Sequence, residues 1–324
     1  VRVEVLSRFQ TAAEAKKILA GLAAGEVDCV IGTHRLLQEG IKFKDLGLLV
    51  VDEEQRFGVQ HKEAMKKMRT NVDVLTLSAT PIPRTLAMSY YADLDVSTID
   101  ELPPGRTPIV TRVLSSERRL ELIERIREQV NSGRQVYWVC PLIEESEALD
   151  LRHATQAHEE LSQALADGTG VGLMHGRLPP AEKQAVMAAF VAGTLRVLVS
   201  TTVIEVGVDV PNASLMVIEH AERFGLSQLH QLRGRVGRGT AASACVLLYE
   251  SPLGDVAKAR LRAMAQTNDG FELSRIDLEL RGPGEVLGAR QSGAALLRFA
   301  DLSQDDGLLS WAREQAKDML AAHP

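Results

Sequence analysis

The sequence predicts an α/β protein built from doubly wound parallel sheets, and two patterns lead to that prediction. Apolar runs of strand length alternate with amphipathic runs of helix length almost from end to end of the 324 residues, as in repeated β–α units. Several apolar runs show no alternation, which is typical of parallel strands covered by helices on both faces. The predicted strands lie at 27–32, 47–52, 73–78, 135–140, 171–175, 195–201, 214–219 and 243–249.

The helices between these strands are predicted from apolar periodicity and from end signals. Segment 116–131 places its apolar residues on one helical face, at Leu120, Ile123, Ile126 and Val130. Segment 179–191 opens with two prolines, which favours a helix start. A last helix is expected at 304–321.

A Pro- and Gly-rich stretch, DELPPGRTPI at 100–109, breaks any regular element and marks the best domain boundary. The strands stop after about residue 251, where the chain becomes helical and then Gly-rich. We therefore expect one unit at 1–102, a second at 103–250 and an appendage at 251–324.

The composition, with 45% hydrophobic and 25% charged residues, is that of a soluble globular protein. No apolar run approaches the roughly 20 residues that a membrane span needs, and the first residues, VRVEVLSRFQ, lack the blocks of a signal peptide. They begin inside a strand-like alternation without an initiator Met, which predicts a piece of a longer chain. A net charge of −6 is not typical of a nucleic-acid-binding protein, although a local groove can still be basic.

The three cysteines, Cys29, Cys140 and Cys245, all lie in apolar, strand-like runs. They show neither CxxC spacing nor a neighbouring His cluster. Buried free thiols in a reducing cytoplasm are therefore expected.

Three acids follow an apolar strand directly in LLVVDEEQ, residues 48–55. Because ligands bind outside the carboxyl ends of parallel strands, these acids suit hydrolysis of a Mg²⁺-nucleotide. Asp52 is then expected to hold Mg²⁺ through water, and Glu53 to act as the base that polarises the attacking water. A solvated strand end that leads into a charged loop is the alternative.

The next predicted strand ends in LSATPIPRTL, residues 77–86. Ser78 and Thr80 are small hydroxyl residues at the strand end, where they can hydrogen-bond back to the acids. A turn defined by its prolines, with helix caps, is the alternative.

Segment 197–218, VLVSTTVIEVGVDVPNASLMVI, joins two apolar strands through a polar turn. Thr201 and Thr202 can meet a phosphodiester backbone, and Gly207 with Asp209 can form a turn whose carboxylate accepts from a ribose hydroxyl. An ordinary strand–turn–strand is the alternative.

The most specific motif is QLHQLRGRVGRG, residues 228–239. Gln231, Arg235 and Arg238 have the spacing of one helical face, and guanidinium groups suit charge neutralisation on a triphosphate. The glycines of this segment would cost about 1 kcal/mol each inside a helix, so they indicate close approach rather than helix stability. A solvated basic helix is the alternative.

Two further turns present donors after predicted strands. GTHRLLQEG supplies Thr33, His34 and Arg35, and MHGRLPP supplies His175 and Arg177. Either set can contact a nucleic-acid backbone. A structural role is the alternative for His175.

Taken in order, GTH, DEEQ, SAT, HGR, TTVIEVGVDVP and QLHQLRGRVGRG resemble the motif set of superfamily 2 helicases and translocases. The segments YADLDVSTIDELPPGRTP, YWVCPLIEES and DLELRGPGEVLGARQSG are similar to those of the RecG/Mfd group. Residues 1–80 look closest to Mfd, the transcription-repair coupling factor, and residues 87–324 look closest to RecG. Such a mosaic fits a divergent natural sequence or a join near TPIPRTL.

The resemblance implies two RecA-like lobes, the first incomplete, and a C-terminal helical hairpin with the TRG element. It implies the motor core of an ATP-dependent double-stranded DNA translocase and helicase in DNA repair and recombination, RecG-like in fork reversal and branch migration. ATP and Mg²⁺ are the implied cofactors, and double-stranded or branched DNA is the implied partner. The resemblance also implies a monomer in the bacterial cytoplasm that does not bind a membrane. RNA polymerase is implied as a partner only if the parent protein is Mfd-like.

The family's residue roles carry over by motif. Asp52 resembles the magnesium residue and Glu53 the base, while Ser78 and Thr80 resemble the residues that couple hydrolysis to motion. By the same resemblance, Gly207 and Asp209 face ATP, and Thr201 and Thr202 face DNA. Gln231, Arg235 and Arg238 belong to the sixth motif, with Arg238 as the arginine finger. The residues of the TRG element are Arg281, Gly282, Arg290 and Gln291.

The phosphate-binding pattern GxxxxGK[ST] does not occur in these 324 residues. We therefore expect that this chain alone does not hydrolyse ATP. Its first lobe, without the family's central strand, is expected to be the less stable part. The alternatives are an Mfd-like transcription-repair coupling translocase, a non-catalytic DNA-binding module that keeps the second lobe and the TRG element, or an inert fragment.

Overall fold

A computed structural model describes residues 1–7, 10–38, 40–53, 57–68, 72–79, 96–99, 101, 106–141, 147–165, 168–201, 210–239, 241–281 and 306–322. The chain divides into two compact units, Val1–Thr80 and Pro81–Pro324, and each is considered by itself. The predicted boundary between 102 and 103 falls outside the described residues, so the three predicted domains stay predictions. Within the described ranges, no helix combines the length and apolar character that crossing a membrane requires.

The first unit contains two pairs of parallel strands. β1 (Val3–Leu6) pairs with β2 (Cys29–Gly32), and β3 (Leu48–Asp52) pairs with β4 (Asp73–Leu77). The helices of this unit are α1 (Ala12–Ala24) and α2 (Val59–Met68).

Helix α1 begins and ends on local signals. The Thr11 hydroxyl accepts a hydrogen bond from the Glu14 N–H, and the Glu14 carboxylate accepts one from the Thr11 N–H; this is a capping box. Gly25 ends the helix with a φ of +76°, which glycine adopts without strain. The buried face of α1 then closes a small core of Leu6, Ala15, Ile18, Leu22 and Val27.

The strands of the first unit bury only one face within the described part of the chain, which differs from the predicted cover on both faces. The exposed apolar side chains alternate along the strands: Val3, Val5, Ile31, Leu48, Val50, Leu75 and Leu77. Cys29 lies on the exposed face with Ile31, because strand residues two apart point the same way, so its predicted burial is wrong. Cys140 and Cys245 are buried free thiols, as predicted.

The second unit is built on a six-stranded parallel sheet in the order β5–β10–β9–β6–β8–β7. Its strands are β5 (Val110–Ser115), β6 (Gln135–Cys140), β7 (Val171–Met174), β8 (Val197–Thr201), β9 (Ala213–Ile218) and β10 (Ala244–Tyr249). After β6 the chain adds β7 and β8 on one side of that strand, and then β9 and β10 on its other side. The strand order therefore reverses between β6 and β9. Ligands bind at the carboxyl ends of such strands in α/β proteins.

Helices cover both faces of this sheet, which confirms the doubly wound prediction. One face carries α3 (Arg119–Asn131) and α4 (Glu147–Ala164), which bury Ile126 and Leu161. The other face carries the remaining packed helices: α5 (Pro180–Val191), α6 (Leu226–Arg233), α7 (Asp255–Gln266) and α8 (Gly270–Arg281). Helix α9 (Asp306–Ala322) follows, and its Trp311 is exposed.

Every predicted strand is present, with ends that differ from the prediction by no more than two residues. Segment 116–131 opens as a short 3-10 turn and becomes α3 at Arg119, and the predicted helices at 179–191 and 304–321 are α5 and α9. Strand β5 was not predicted from the sequence. Its sequence, VTRVLS, mixes polar and apolar residues because β5 lies at the edge of the sheet and, among the described strands, pairs with β10 alone.

Candidate functional site

The acids at the end of β3 are joined to the end of β4 through Glu53. Asp52 pairs in register with Leu77, so both strands end at the same edge. Glu53 adopts a φ of +53°, and its N–H donates to the Leu77 carbonyl oxygen at 2.9 Å. Its Oε1 accepts a hydrogen bond from the Ala79 N–H at 2.9 Å. This charge-assisted bond fixes the carboxylate against the turn after β4.

The predicted link between the acids and the SAT turn therefore includes a backbone donor. Ser78 lies in that turn and is exposed, whereas Thr80 and Glu54 lie outside the described residues. Residue-type reasoning missed the Ala79 N–H, because a backbone donor requires no particular side chain.

The Asp52 carboxylate is open at the strand end. It is exposed, and it has no hydrogen-bond or ion-pair partner among the described residues. Mg²⁺ usually keeps several waters and takes one or two carboxylates, so a single open carboxylate fits a water-mediated Mg²⁺ site. In the same described ranges, no three His, Cys, Asp or Glu side chains converge into a metal-binding group.

The GTH turn after β2 lies beside α2. Thr33 precedes a short 3-10 turn, and the His34 ring lies 5.3 Å from the His61 ring. His61 also contacts the edge of Phe57, with ring centroids 6.0 Å apart. Since α2 follows the acid loop in the chain, these rings join the predicted DNA-contacting turn to the segment that follows Asp52 and Glu53.

The HGR turn follows β7 in the second unit. Burial lowers the pKa of His175 most, the charges of Lys183 and Arg177 lower it further, and Glu182 opposes them. Lys183 donates from Nζ to the Gly176 carbonyl oxygen at 2.7 Å. Arg177 is exposed. The turn is thus locally positive on an acidic chain.

Thr201 ends β8 with a buried hydroxyl that has no hydrogen-bond partner among the described residues. Thr202, Gly207 and Asp209 lie outside the described residues. The phosphate and ribose contacts predicted for this segment therefore stay predictions.

The sixth-motif arginines do not share a helical face with Gln231, so that prediction is wrong. Helix α6 ends at Arg233, and Gly234 caps it with N–H donation to the His230 and Leu232 carbonyls. Arg235 and Arg238 follow in a turn, because Gly237 adopts a φ of +77° that no helix contains. Arg238 is exposed and Arg235 is half-buried.

The close approach predicted from the glycines of this segment is present. A Cβ on Gly239 would lie 2.4 Å from the Pro211 carbonyl oxygen, and one on Gly237 would lie 3.0 Å from Ile109. Arg106 donates from Nε to the Gly237 carbonyl oxygen at 3.2 Å. The glycines therefore allow this turn to pack against its neighbours.

Arg233 anchors this motif, although no role was predicted for it from the sequence. Its side chain is 2% exposed and donates to the carbonyl oxygens of Met264 and Thr267, both at 2.9 Å. It also contacts the Thr111 hydroxyl at 3.3 Å and His230 Nδ1 at 3.0 Å. Its position directly after Leu232, at the end of an amphipathic helix in HQLRG, was the available signal.

His230 is the neutral partner of Arg233. Burial lowers the pKa of His230 to about 4, with a further contribution from the Arg233 charge and an opposing one from Asp269. A neutral imidazole can accept from a guanidinium, whereas a protonated one cannot. The hydrogen bond therefore requires His230 without its second proton.

A second polar cluster, partly buried, lies at the carboxyl ends of β6 and β9. Arg119 pairs with Glu219 and, at 2.8 Å, with Glu160, and its guanidinium lies 4.9 Å from the Trp138 ring centroid. The Cys140 thiol donates to Glu219 at 3.2 Å, and burial raises the pKa of this thiol to about 12. This cluster could not be predicted from the sequence, because its members come from four separate elements.

The TRG residues are described only in part. Arg281 is the last residue of α8, and Gly282, Arg290 and Gln291 lie outside the described residues. Their predicted role in coupling stays a prediction.

Comparisons with known proteins match the chain almost from end to end. Residues 1–89 match the DEAD/DEAH box helicase family model, residues 118–240 the helicase conserved C-terminal domain, and residues 267–324 the C-terminal part of domain 3 of the ATP-dependent DNA helicase RecG. Together with the two units and their motif turns, these matches define the class: the chain belongs to the superfamily 2 helicases. Within that superfamily it belongs to the RecG family.

The RecG relatives cover nearly all of this chain. It is 55% identical to the ATP-dependent DNA helicase RecG of Acidithiobacillus ferridurans, over 94% of the chain and 44% of that protein. It is 52% identical to RecG of Escherichia coli K12, again over 94% and 44%, and 48% identical to RecG of Thermotoga maritima, over 98% and 41%. The chain thus spans less than half the length of these relatives.

Solved structures agree with the sequence relatives. A structure of RecG bound to a three-way DNA junction superposes with a TM-score of 0.71 at 45% identity, over 96% of this chain and 40% of that one. The DNA-bound helicase MrfA, at 16% identity and a TM-score of 0.58 over 82% and 40% of the two chains, shares the fold alone. Because the match to RecG of Thermotoga maritima and to the junction-bound RecG structure extends over residues 1–80, the expected likeness of that part to Mfd is not supported.

Proposed function

We propose that this chain is the motor core of an ATP-dependent double-stranded DNA helicase and translocase that acts on branched DNA, in fork reversal and branch migration during repair and recombination. The observation that carries the proposal is the 45% identity, over 96% of the chain, to a RecG that binds a three-way junction. We further propose a monomer in the bacterial cytoplasm, organised as lobes at 1–102 and 103–250 with the TRG element at 251–324.

At the nucleotide, Asp52 holds Mg²⁺ through water and Glu53 takes the proton of the attacking water. Mg²⁺, when bound, supplies charge neutralisation on the phosphates. The bond from the Ala79 N–H to Glu53 supports this role, because it orients the carboxylate. Arg235, Arg238 and Gln231 bind the phosphates, and Gly207 and Asp209 the ribose side.

At the DNA, two groups of residues contact the phosphodiester backbone. Thr33 and His34 contribute from the first unit; His175, Arg177, Thr201 and Thr202 contribute from the second. The lowered pKa of His175 supports a neutral imidazole that donates a hydrogen bond to a phosphate oxygen rather than an ion pair.

Coupling of hydrolysis to movement rests on the SAT turn and the TRG element. Ser78 and Thr80 follow the strand that Glu53 contacts, so a change at the nucleotide reaches them directly. On the second unit, Arg233 joins the sixth motif to the end of α7, which leads into α8 and then to Arg281, Gly282, Arg290 and Gln291.

Binding of the chain to a fluorescent three-way junction tests this function, measured by anisotropy between about 50 and 200 mM salt, where backbone contacts lose affinity steeply. We expect salt-dependent binding that is tighter than to a linear duplex of the same length. The chain alone is expected to bind without hydrolysing ATP, because no GxxxxGK[ST] occurs in it. Absence of binding at low salt would overturn the proposal, and robust DNA-stimulated hydrolysis would overturn the requirement for that loop.

A further inference from the structure

We propose that the groove between α4 and the turn after β7 binds a phosphate of the DNA backbone, with Arg152 as its principal new contact. The groove has a volume of about 420 Å³ and is lined by Leu151, Arg152, Thr155, Gln156, Glu159 and Arg177. The inference rests on the proposed function, since it extends the contact made by Arg177 to a second wall on α4.

The topology explains why Arg152 and Arg177 line one groove. Helix α4 connects β6 to the parallel strand β7, so it runs antiparallel to both and begins at the carboxyl edge of the sheet. Arg152 lies near this beginning, and the HGR turn leaves β7 at the same edge. Both guanidinium groups are therefore carried at the edge where parallel α/β sheets bind their ligands.

No described residue neutralises the charge of Arg152. Among the described residues, its exposed side chain has neither an ion pair nor a hydrogen bond. The neighbouring helix behaves differently, since the arginines at its start and along its surface each pair with a glutamate: Arg118, Arg119, Arg125 and Arg127. On a chain with a net charge of −6, an unpaired guanidinium beside Arg177 suits an anionic ligand.

The other polar groups of the groove are already engaged or of the wrong sign. The Thr155 hydroxyl donates to the Leu151 carbonyl oxygen at 2.7 Å, and the Gln156 amide donates to Glu160 at 3.0 Å. Glu159 is the acid of the lining and repels a phosphate. Arg152 and Glu159 are thus expected to have opposite effects on DNA binding.

These opposite effects can be tested by measuring the affinity of each variant for the three-way junction, by fluorescence anisotropy at several salt concentrations. Arg152→Gln should weaken binding and reduce the slope of log K against log salt by about 0.9, the value for one lost phosphate contact. Glu159→Gln should strengthen binding at low salt. Arg125→Gln is the matched control, because Arg125 is exposed on α3 and pairs with Glu121; it should leave both quantities unchanged.

A further variant, Arg177→Gln, and a second ligand separate this inference from the proposed function. If Arg177→Gln weakens junction binding while Arg152→Gln matches the unsubstituted chain at every salt concentration, the groove proposal fails and the function stands. If the unsubstituted chain does not bind DNA, both fail. Inorganic phosphate, titrated at constant ionic strength, is the second probe: phosphate binding lost in Arg152→Gln with DNA binding intact would identify a free-anion site and overturn the proposal.

Discussion

The Glu53 carboxylate accepts a hydrogen bond from the Ala79 N–H at 2.9 Å, which fastens the end of β3 to the turn that follows β4. The Glu53 N–H also donates to the Leu77 carbonyl oxygen, so one residue bridges the two strand ends twice. A carboxylate held in this way has a fixed orientation toward any ligand at the strand ends. Its position therefore depends on the SAT turn, and the turn responds to any displacement of the carboxylate.

Removal of the Ala79 donor should uncouple the acid from the turn. Proline has no N–H, so Ala79→Pro is expected to slow ATP hydrolysis in a form of the enzyme that carries a GxxxxGK[ST] segment, and to leave junction binding unchanged. Ala79→Gly keeps the donor and is the control. Equal hydrolysis rates for Ala79→Pro and the unsubstituted enzyme would contradict the role given to this hydrogen bond.

Arg233 should contribute more to stability than any exposed arginine. Arg233→Met leaves the carbonyl oxygens of Met264 and Thr267 without their donor, and hydrogen bonds to charged groups of this kind suggest a loss of about 2–4 kcal/mol in the free energy of unfolding. Arg125→Met, on a side chain that is 72% exposed, is the control and should change stability by less than about 0.5 kcal/mol. Urea unfolding measures the free energy of unfolding of both variants. Equal losses in the two variants would contradict the anchoring role of Arg233.

The stability of the second unit should depend on pH through His230. Its pKa is about 4 in the folded state and about 6.5 when unfolded. The unfolded chain therefore binds the proton first, and stability is lost as pH falls from about 6.5 to 4, by about 3 kcal/mol at most.

His230→Gln keeps a hydrogen-bond acceptor for Arg233 but has no group that titrates. The substitution should therefore reduce the loss of stability between about pH 6.5 and pH 4. Urea unfolding of both chains at several pH values measures the effect. A stability difference between the two chains that does not vary with pH would contradict the buried, neutral His230.

The Arg119–Glu219 pair should show strong energetic coupling. Arg119→Met leaves a 9% exposed carboxylate without its cation, at an expected cost of about 3 kcal/mol. Adding Glu219→Gln should recover part of that loss, with a coupling of about 1–3 kcal/mol in a double-mutant cycle. The exposed pair Arg118–Glu121 is the control, and its coupling should stay below about 1 kcal/mol. Additive losses at Arg119 and Glu219 would contradict the ion pair.

The sequence predicted the strands well because buried parallel strands have an unambiguous composition. β6, QVYWVC, is buried at every position and was located to the residue. β5 was missed because an edge strand tolerates polar residues, and Cys29 was placed inside because composition alone cannot tell which face of a strand is covered.

Candidate site residues could be predicted where a motif carries them, whereas contacts that depend on packing could not. Asp52 and Glu53 follow a strand end that sequence patterns locate, and the structure brings Glu53 to the SAT turn. Arg233 and Glu219 acquire their roles from partners far away in the chain, at Met264 and Arg119, which no local pattern contains. The helical face expected for Arg235 and Arg238 failed because the positive φ of Gly237 cannot be foreseen from spacing.

The most direct test of the central claim is DNA-stimulated ATP hydrolysis by Glu53→Gln, measured with junction binding in a form of the enzyme that carries the GxxxxGK[ST] segment. Loss of a general base lowers turnover by about 100-fold or more, while the amide retains the size and the acceptor that Ala79 requires. We predict that hydrolysis is lost and that junction affinity is unchanged. Hydrolysis at an undiminished rate, or loss of binding in step with hydrolysis, would contradict the assignment of Glu53 as the catalytic base of a RecG-type motor.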